Sequence, residues 1–345
     1  MGFAQSKSVE LGPEACWKRD AEEVSTAPPD VVVIGSCNID LVAFAPRLPK
    51  EGETLTGTEF KTLFGGKGAN QAVMAAKLGA PTAMVGKVGR DSFGQEMLAN
   101  FKKAGVRTRH VTQTTSDEPE SSGVAQICAG GGENHIVIVP GANACISEAD
   151  VVAAAHDLMN AKVVLAQLET SLDRTLQAFR LAKTAEKPPL CVLTPAPAVP
   201  LPDEAYQLTD LICPNQTEAT LLTGLPCSSE EEAMEAAKAL QGKGCKQVLI
   251  SMGARGALVS GLEGATMVEC PAVAKELVVD TTGAGDALVG ALARVIAERP
   301  QIELKRVVEA ACAVASLTVQ AQGAQASYPR GDDDRVTKIM RIVGI

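Results

Sequence analysis

A short run near the C-terminus, Thr281-Thr282-Gly283-Ala284-Gly285-Asp286, carries the residue types that phosphoryl transfer needs. Its glycines let the backbone curl so that successive N–H groups face one cavity. A helix starting there adds the positive end of its dipole, and together they hold an anion. That arrangement stabilises charge on a migrating phosphate. A carboxylate at the same spot, here Asp286, can accept the proton of an attacking hydroxyl. Taken alone, Gly-x-Gly-Asp equally describes a glycine turn followed by a helix-capping aspartate. The run has neither the Gly-Lys-Ser/Thr of a Walker loop nor the Gly-x-Gly-x-x-Gly of a dinucleotide fingerprint.

Such a loop must be held between a strand and a helix. The sequence predicts a strand over 277–280 and a helix over 287–298. Order is expected to begin at Val31-Val32-Val33-Ile34-Gly35, a buried-strand pattern closed by a glycine turn. From there, apolar strand runs (83–87, 163–167, 190–193, 211–213, 247–251, 257–260) alternate with Ala-rich helical stretches (71–78, 93–104, 148–159, 172–184, 230–242, 303–320). That rhythm predicts an α/β fold, a three-layer α/β/α domain over 30–340 with a mostly parallel sheet, whose ligands bind beyond the carboxyl ends of the strands. Two stretches break it. Residues 53–64 are Thr-rich and roughly alternating, and 123–139 reads as a hairpin around Gly130-Gly131-Gly132. They predict a small β-sheet lid built from segments 45–65 and 121–140. An exposed apolar lid face invites association, so a homodimer through the lids is expected.

Composition narrows the partners. The 345 residues are 46% hydrophobic but only 3% aromatic, so the core is built from Ala, Val, Leu and Ile, which suits strands buried on both faces. A net charge of −9 with few aromatics argues against nucleic acid. An anionic ligand needs a local trap of backbone dipoles, lysine or metal. Ten cysteines without a C-x-x-C pair predict reduced thiols and a cytoplasmic location, and the three histidines lie outside every motif, which disfavours zinc or a histidine triad. The uncharged run 310–329 carries Gln320, Gln322 and Gln325 and is too polar for lipid, so no membrane partner is expected. Residues 1–29 predict a disordered extension. Its start, Met1-Gly2-Phe3-Ala4-Gln5-Ser6, fits the myristoylation pattern, yet without a basic cluster a plain tail is the expectation.

Asp280-Thr-Thr-Gly-Ala-Gly-Asp286 with its small-residue helix resembles the C-terminal signature of the PfkB carbohydrate kinases. Phe64-Gly65-Gly66-Lys67-Gly68-Ala69-Asn70-Gln71-Ala72 resembles their N-terminal signature. The resemblance spans roughly residues 31 to 329. It implies an ATP-dependent sugar kinase in which Asp286 deprotonates the sugar hydroxyl and the amides of Gly283, Ala284 and Gly285 bind the γ-phosphate. Attack is in line, without a covalent intermediate, and Mg²⁺ bridges the phosphates. Gly35-Ser36-Cys37-Asn38-Ile39-Asp40 resembles an element of the family's ribose-phosphorylating members, which implies D-ribose as substrate and its 5-hydroxyl as acceptor. On that resemblance Asn38 and Asp40 bind ring hydroxyls, Gly66, Lys67 and Asn70 continue the pocket, and Glu169 holds the sugar's other side. Fructose and adenosine kinases of the same family are the alternatives, although adenosine would ask for more aromatic residues.

On the nucleotide side, Asn215 and Glu218 resemble an Asn-x-x-Glu element that approaches phosphate and Mg²⁺. Ser251-Met-Gly253-Ala-Arg-Gly256 resembles the turn lining adenine and ribose, and Gly285 also approaches the nucleotide. Asp280, Thr282, Thr318, Ala321, Gly323 and Ser327 correspond to loops that hold a monovalent cation, commonly K⁺. Simpler roles exist for each: Asn38 and Asp40 as turn residues, Lys67 as a solvated lysine, Glu169 as a helix cap, Asn215 and Glu218 as a capping pair. Two positions depart from the family pattern, Thr194 where Asn is usual and Cys312 where Asn is often seen. From other classes, a catalytically inactive sugar- or nucleotide-binding regulator and a Rossmann-type dehydrogenase compete.

Overall fold

The structure is a computed structural model that describes residues 27–261 and 264–344. The myristoylation pattern, most of the expected extension and Cys16 lie outside the described residues. Nine strands form the main sheet: β1 (Val31–Ile34), β4 (Thr82–Val88), β5 (Val106–Gln113), β8 (Val163–Ala166), β9 (Leu190–Leu193), β10 (Leu211–Ile212), β11 (Gln247–Ser251), β12 (Ala257–Gly261) and β13 (Gly264–Val268). Their order is β13-β12-β11-β10-β9-β8-β1-β4-β5. The strands from β11 to β5 pair in parallel, and β12 and β13 join antiparallel at one edge.

Strand β1 shows why the sheet is double-faced. Val31 and Val33 point into one core with Met84, Val163 and Leu165, whereas Val32 and Ile34 point into another with Val85, Val164 and Ala166. With no polar face to turn to water, such a strand is stable only between two helical layers. On the first side lie the helices Lys67–Lys77, Ala284–Glu298 and Leu304–Thr318. A Cβ on Gly290 would come within 2.6 Å of the Met74 Cβ, so glycine lets the first two of these helices pack closely. One turn earlier on each, that approach places Asp286 beside Asn70 and Gln71.

The second sheet contains β2 (Asn38–Ala45), β3 (Glu59–Gly65), β6 (Gly123–Gly130) and β7 (Glu133–Val139), in the order β3-β2-β6-β7. β2 continues directly from β1 after the Gly35–Cys37 bend and occupies the middle, pairing Asn38 with both Gly65 and Gly123. The β6–β7 turn sits at Gly131 and Gly132, whose φ values of 65° and 83° suit a tight hairpin loop. Every residue of β7 is exposed.

Several expectations need correction. Residues 277–280 form no strand: a 3₁₀ turn over Lys275–Leu277 leads into an exposed segment with Val279 61% exposed. The amides of Val279 and Asp280 both donate to the Val319 carbonyl, so apolar β-branched residues here found no strand partner. The predicted helix 148–159 divides into Glu148–Ala153 and Ala155–Asn160. Residues 53–58 are not in a strand, and β2, β5 and β13 went unpredicted, as did the helices Asp203–Leu208, Gln216–Thr223 and Asp334–Ile342. No helix among the described residues is long and apolar enough to cross a membrane.

Candidate active site

The site lies where the two sheets and the helices Lys67–Lys77 and Ala284–Glu298 converge. Asp286 is buried in the first turn of the latter helix, which starts from Gly283 in a left-handed conformation with φ 77°. One Asp286 oxygen accepts the Asn70 Nδ2 proton at 2.9 Å and the other the Gln71 Nε2 proton at 3.1 Å. Behind them Gln325 donates to Asn70 at 3.0 Å and Gln167 donates to Gln71 at 2.7 Å. Burial pushes the Asp286 carboxyl above its ordinary range, while the Lys67 charge and the two amide bonds pull the other way.

Ahead of this carboxylate the loop is open. A Cβ on Gly285 would meet nothing within 4 Å. The Ala284 amide donates to the Thr281 carbonyl at 3.2 Å, whereas among the described residues the amides of Gly285 and Asp286 have no such turn partner. Of the three residues expected to bind anion, Ala284 is therefore the one whose amide is already engaged within the turn. Tyr328 closes the back of the loop, its hydroxyl donating to the Gly283 carbonyl at 2.9 Å.

Asn38 and Asp40 lie in β2, not in a turn. Burial, then the charges of Glu169 and Asp286, push the Asp40 carboxyl up to about 7. Gly65 faces it so closely that a Cβ would approach the Asp40 oxygens to within 2.4 Å. Gly66, with φ 85°, has no room for a side chain against the Asn38 amide nitrogen, 2.7 Å from an added Cβ. Lys67 is half-buried rather than solvated. Burial alone would lower its pKa, but the charges of Asp286, Glu169 and Glu218 hold it above the usual lysine range. Glu169 does cap a helix, though a distant one: it accepts the Lys67 amide at 2.9 Å and the Ser36 hydroxyl at 2.5 Å.

Asn215 and Glu218 form a reciprocal capping box on the helix Gln216–Thr223, each bond 2.8 Å. The box occupies one oxygen of each side chain, leaving the Asn215 Nδ2 and the second Glu218 oxygen. Burial raises the Glu218 carboxyl, opposed by the Asn215 amide and Lys67, with Asp286 adding to the rise. Glu218 thus lies within electrostatic reach of Lys67 and Asp286. Asn215 also bridges to Ser251, and Gly253 and Gly256 make the following turn with φ of 62° and 102°.

Asp280 ties two loops together, accepting the Thr282 amide at 2.9 Å and the Gly323 amide at 2.8 Å. Burial would raise its pKa, but these bonds hold it below the usual range. The Thr318 and Ser327 hydroxyls donate to the carbonyls of Ala315 and Ala324, and the Ala321 amide lies 3.3 Å from the Thr318 carbonyl. Asp280 thereby joins the loop at Thr282 to the one at Gly323, and no cluster of acidic, histidine or cysteine side chains able to hold a metal occurs among the described residues.

Sequence reasoning overlooked Gln71, Gln167, Ser36, Gln325, Tyr328 and Asn143 as parts of the site. Gln71 stood inside a quoted motif, and its helical neighbour Asn70 was a clue. Ser36 likewise stood inside the Gly35–Asp40 motif; the others act through contacts 45 to 255 positions apart in sequence, from Tyr328–Gly283 to Gln325–Asn70, which no local spacing reveals.

A family model described as "pfkB family carbohydrate kinase" matches residues 28–330. A ribokinase of Mus musculus is 42% identical over 305 residues, covering 88% of this chain and 93% of its own length. A deoxyribokinase of Salmonella typhimurium is 37% identical over 302 residues, covering 87% and 95%. A structure of Arabidopsis thaliana ribokinase complexed with ribose and ATP has a TM-score of 0.80 at 33% identity, covering 92% of this chain and 99% of that one.

Proposed function

The chain belongs to the pfkB family of carbohydrate kinases, and from that premise we propose that it transfers the γ-phosphoryl group of ATP to the 5-hydroxyl of D-ribose. The observation that carries this reading is the buried Asp286, held by two amides beside the open Gly285 turn and facing the cluster of Asn38, Asp40, Lys67 and Glu169. Asp286 takes the hydroxyl proton as attack begins. The unpaired amides and the helix dipole hold the γ-phosphate. Asn38, Asp40 and Glu169 orient the sugar, converting an encounter into a positioned reaction. The names of the mouse and Arabidopsis relatives support ribose, and their extent of coverage supports the whole reaction.

The second oxygen of Glu218 suits Mg²⁺, which when bound with ATP neutralises phosphate charge. The oxygen donors around Asp280, Thr282, Thr318, Ala321, Gly323 and Ser327 suit K⁺, which would keep the neighbouring loops in shape. The exposed β7, with Ile136, Val137, Ile138 and Val139 each at least 49% exposed, supports a homodimer through the small sheet acting as lid. The nine cysteines among the described residues are all free, which supports a reducing compartment, the cytoplasm.

2-Deoxyribose is the second reading, favoured by the 37% identical deoxyribokinase. A coupled ADP-release assay with ATP and a panel of ribose, 2-deoxyribose, fructose and adenosine decides between them. The highest kcat/KM is expected with ribose. Preference for 2-deoxyribose moves the assignment within the family, and turnover of adenosine alone overturns the sugar assignment.

A further inference from the structure

Asn143 lies in the short 3₁₀ turn Gly141–Cys145 that leads from β7 back to the main domain, and it is 1% exposed. Its Oδ1 accepts the Cys37 backbone N–H at 2.8 Å. Its Nδ2 donates to the Cys37 carbonyl at 3.2 Å and to the Asn38 Oδ1 at 2.7 Å. The turn is itself pinned, because buried Lys87 donates to the Cys145 carbonyl at 2.9 Å and pairs with Glu118 and Asp150. Gly123 supplies the slot: a Cβ there would lie 2.1 Å from the Asn143 Nδ2 and 2.3 Å from the Asn38 Oδ1. One side chain thus joins the segment leaving the main sheet to the segment returning from the small one.

The two Cys37 bonds decide which way this amide faces. A backbone N–H only donates and a carbonyl only accepts, so Asn143 must put its oxygen on the first and its nitrogen on the second. Its remaining N–H then requires an acceptor on Asn38, whose oxygen is taken. Asn38 is left with its Nδ2, which meets no acceptor among the described residues. We propose that Asn143 is a positioning residue that fixes the Asn38 amide as a hydrogen-bond donor to a sugar oxygen, while Asp40 two residues along β2 supplies the acceptor. This deepens the sugar-kinase reading and rests on it. It also couples the pocket to the small sheet, since any shift of the Gly141–Cys145 turn moves the group that orients Asn38.

Asn143→Asp keeps the size and the bond from the Cys37 amide, but turns a second oxygen toward the Cys37 carbonyl and the Asn38 oxygen. Asn38 escapes by flipping, and the sugar oxygen then faces an acceptor. The KM for ribose should rise on the order of tenfold to a hundredfold, with kcat and the KM for ATP changed by less than about threefold. In an Asn38→Ala background, which itself raises the ribose KM, Asn143→Asp should add almost nothing, because its effect passes through Asn38. Equal penalties in both backgrounds would overturn the inference. Should Asn143→Asp fail to fold, Asn38→Asp tests the donor directly. Calorimetric ribose binding should weaken at neutral pH and recover on acidification, as the protonated carboxyl regains a donor; undiminished binding at neutral pH overturns the assignment. Wild-type enzyme without ribose-dependent ADP release overturns the sugar reading and this inference with it, whereas normal wild-type turnover with additive variants overturns this inference alone.

Discussion

Replacing Asp286 by Asn tests the proposed base more sharply than truncation, because size and position are kept while proton acceptance is lost. General-base catalysis is worth about 10²–10⁴-fold, so kcat should fall by at least that lower figure. The surroundings show what else changes. Both Asp286 oxygens accept amide donors, Asn70 at 2.9 Å and Gln71 at 3.1 Å. An Asn there offers one oxygen and one NH₂, so one of these donors faces another donor and a charge-assisted bond of about 1.5–3 kcal/mol is lost. Opposing that loss, the variant removes a buried charge whose pKa is raised, chiefly by burial. The two effects offset each other near neutral pH, so a large rate loss with little change in melting temperature reports chemistry, not unfolding. The sign with pH follows from linkage. A carboxyl raised on folding costs nothing when protonated in both states, and its full cost appears above the folded pKa. The melting temperature of Asp286→Asn relative to wild type should therefore rise as pH climbs from about 4 toward neutrality. Steady-state ADP release at saturating ribose and ATP, with calorimetric ribose binding alongside, measures both halves. A variant retaining more than about a tenth of the rate refutes the base, because the stated magnitude is then missing. Lost ribose binding with normal turnover of bound sugar makes Asp286 a positioning residue instead.

Activity in K⁺ should exceed activity in Na⁺ or a bulky organic cation if the oxygen-rich loops around Asp280 and Gly323 hold a monovalent ion, and equal rates in all three remove that site. Light scattering at micromolar concentration should give a dimer, and Ile138→Glu on the exposed β7 should convert it to monomer; a monomeric wild type removes the interface. Asp40→Asn should gain melting temperature relative to wild type between the unfolded carboxyl range near about 4 and the folded pKa of about 7. A gap that stays constant across that window would show that Asp40 is not held protonated by burial.

The parallel core was legible because its strands have no polar face. Val31–Ile34 and Leu190–Leu193 announce themselves by uninterrupted apolar residues. The small sheet was half legible: the Gly-rich β6–β7 turn signals a hairpin, but β2 was hidden because its residues mix polar and apolar groups around a site. Residues 277–280 failed in the opposite direction, since Leu-Val-Val has strand propensity while backbone partners decide whether a strand forms. Within the site, Asp286, Asn70 and Lys67 follow from two motifs on adjoining helices. The amide chain Gln167 to Gln71 to Asp286 joins β8's end, one helix and another, and only the close Gly290–Met74 packing reveals it.

The charges gathered in the site describe the ligands that suit it. The charges of Glu169 and Asp286 add to burial in raising the Asp40 carboxyl, Asp286 adds to burial in raising that of Glu218, and Lys67 is the cation that the first helix places among them. The amides of Gly285 and Asp286 at the start of the helix Ala284–Glu298 carry the positive end of its dipole and have no backbone turn partner among the described residues. Carboxylates so placed gain most from neutral donors, which is what sugar hydroxyls are, whereas the amides and Lys67 gain most from phosphate. A sugar lacking one hydroxyl leaves a buried acceptor or donor unpaired, and a site built around that hydroxyl rejects such an analogue far more strongly than an apolar pocket rejects a missing methylene. The ratio of kcat/KM for ribose to that for 2-deoxyribose therefore measures whether one of these groups is committed to the 2-hydroxyl. A ratio near one means that Asn38, Asp40 and Glu169 spend their bonds on the other hydroxyls, and a ratio of a thousand or more, roughly the loss of a fully buried polar pairing, means that one of them does not.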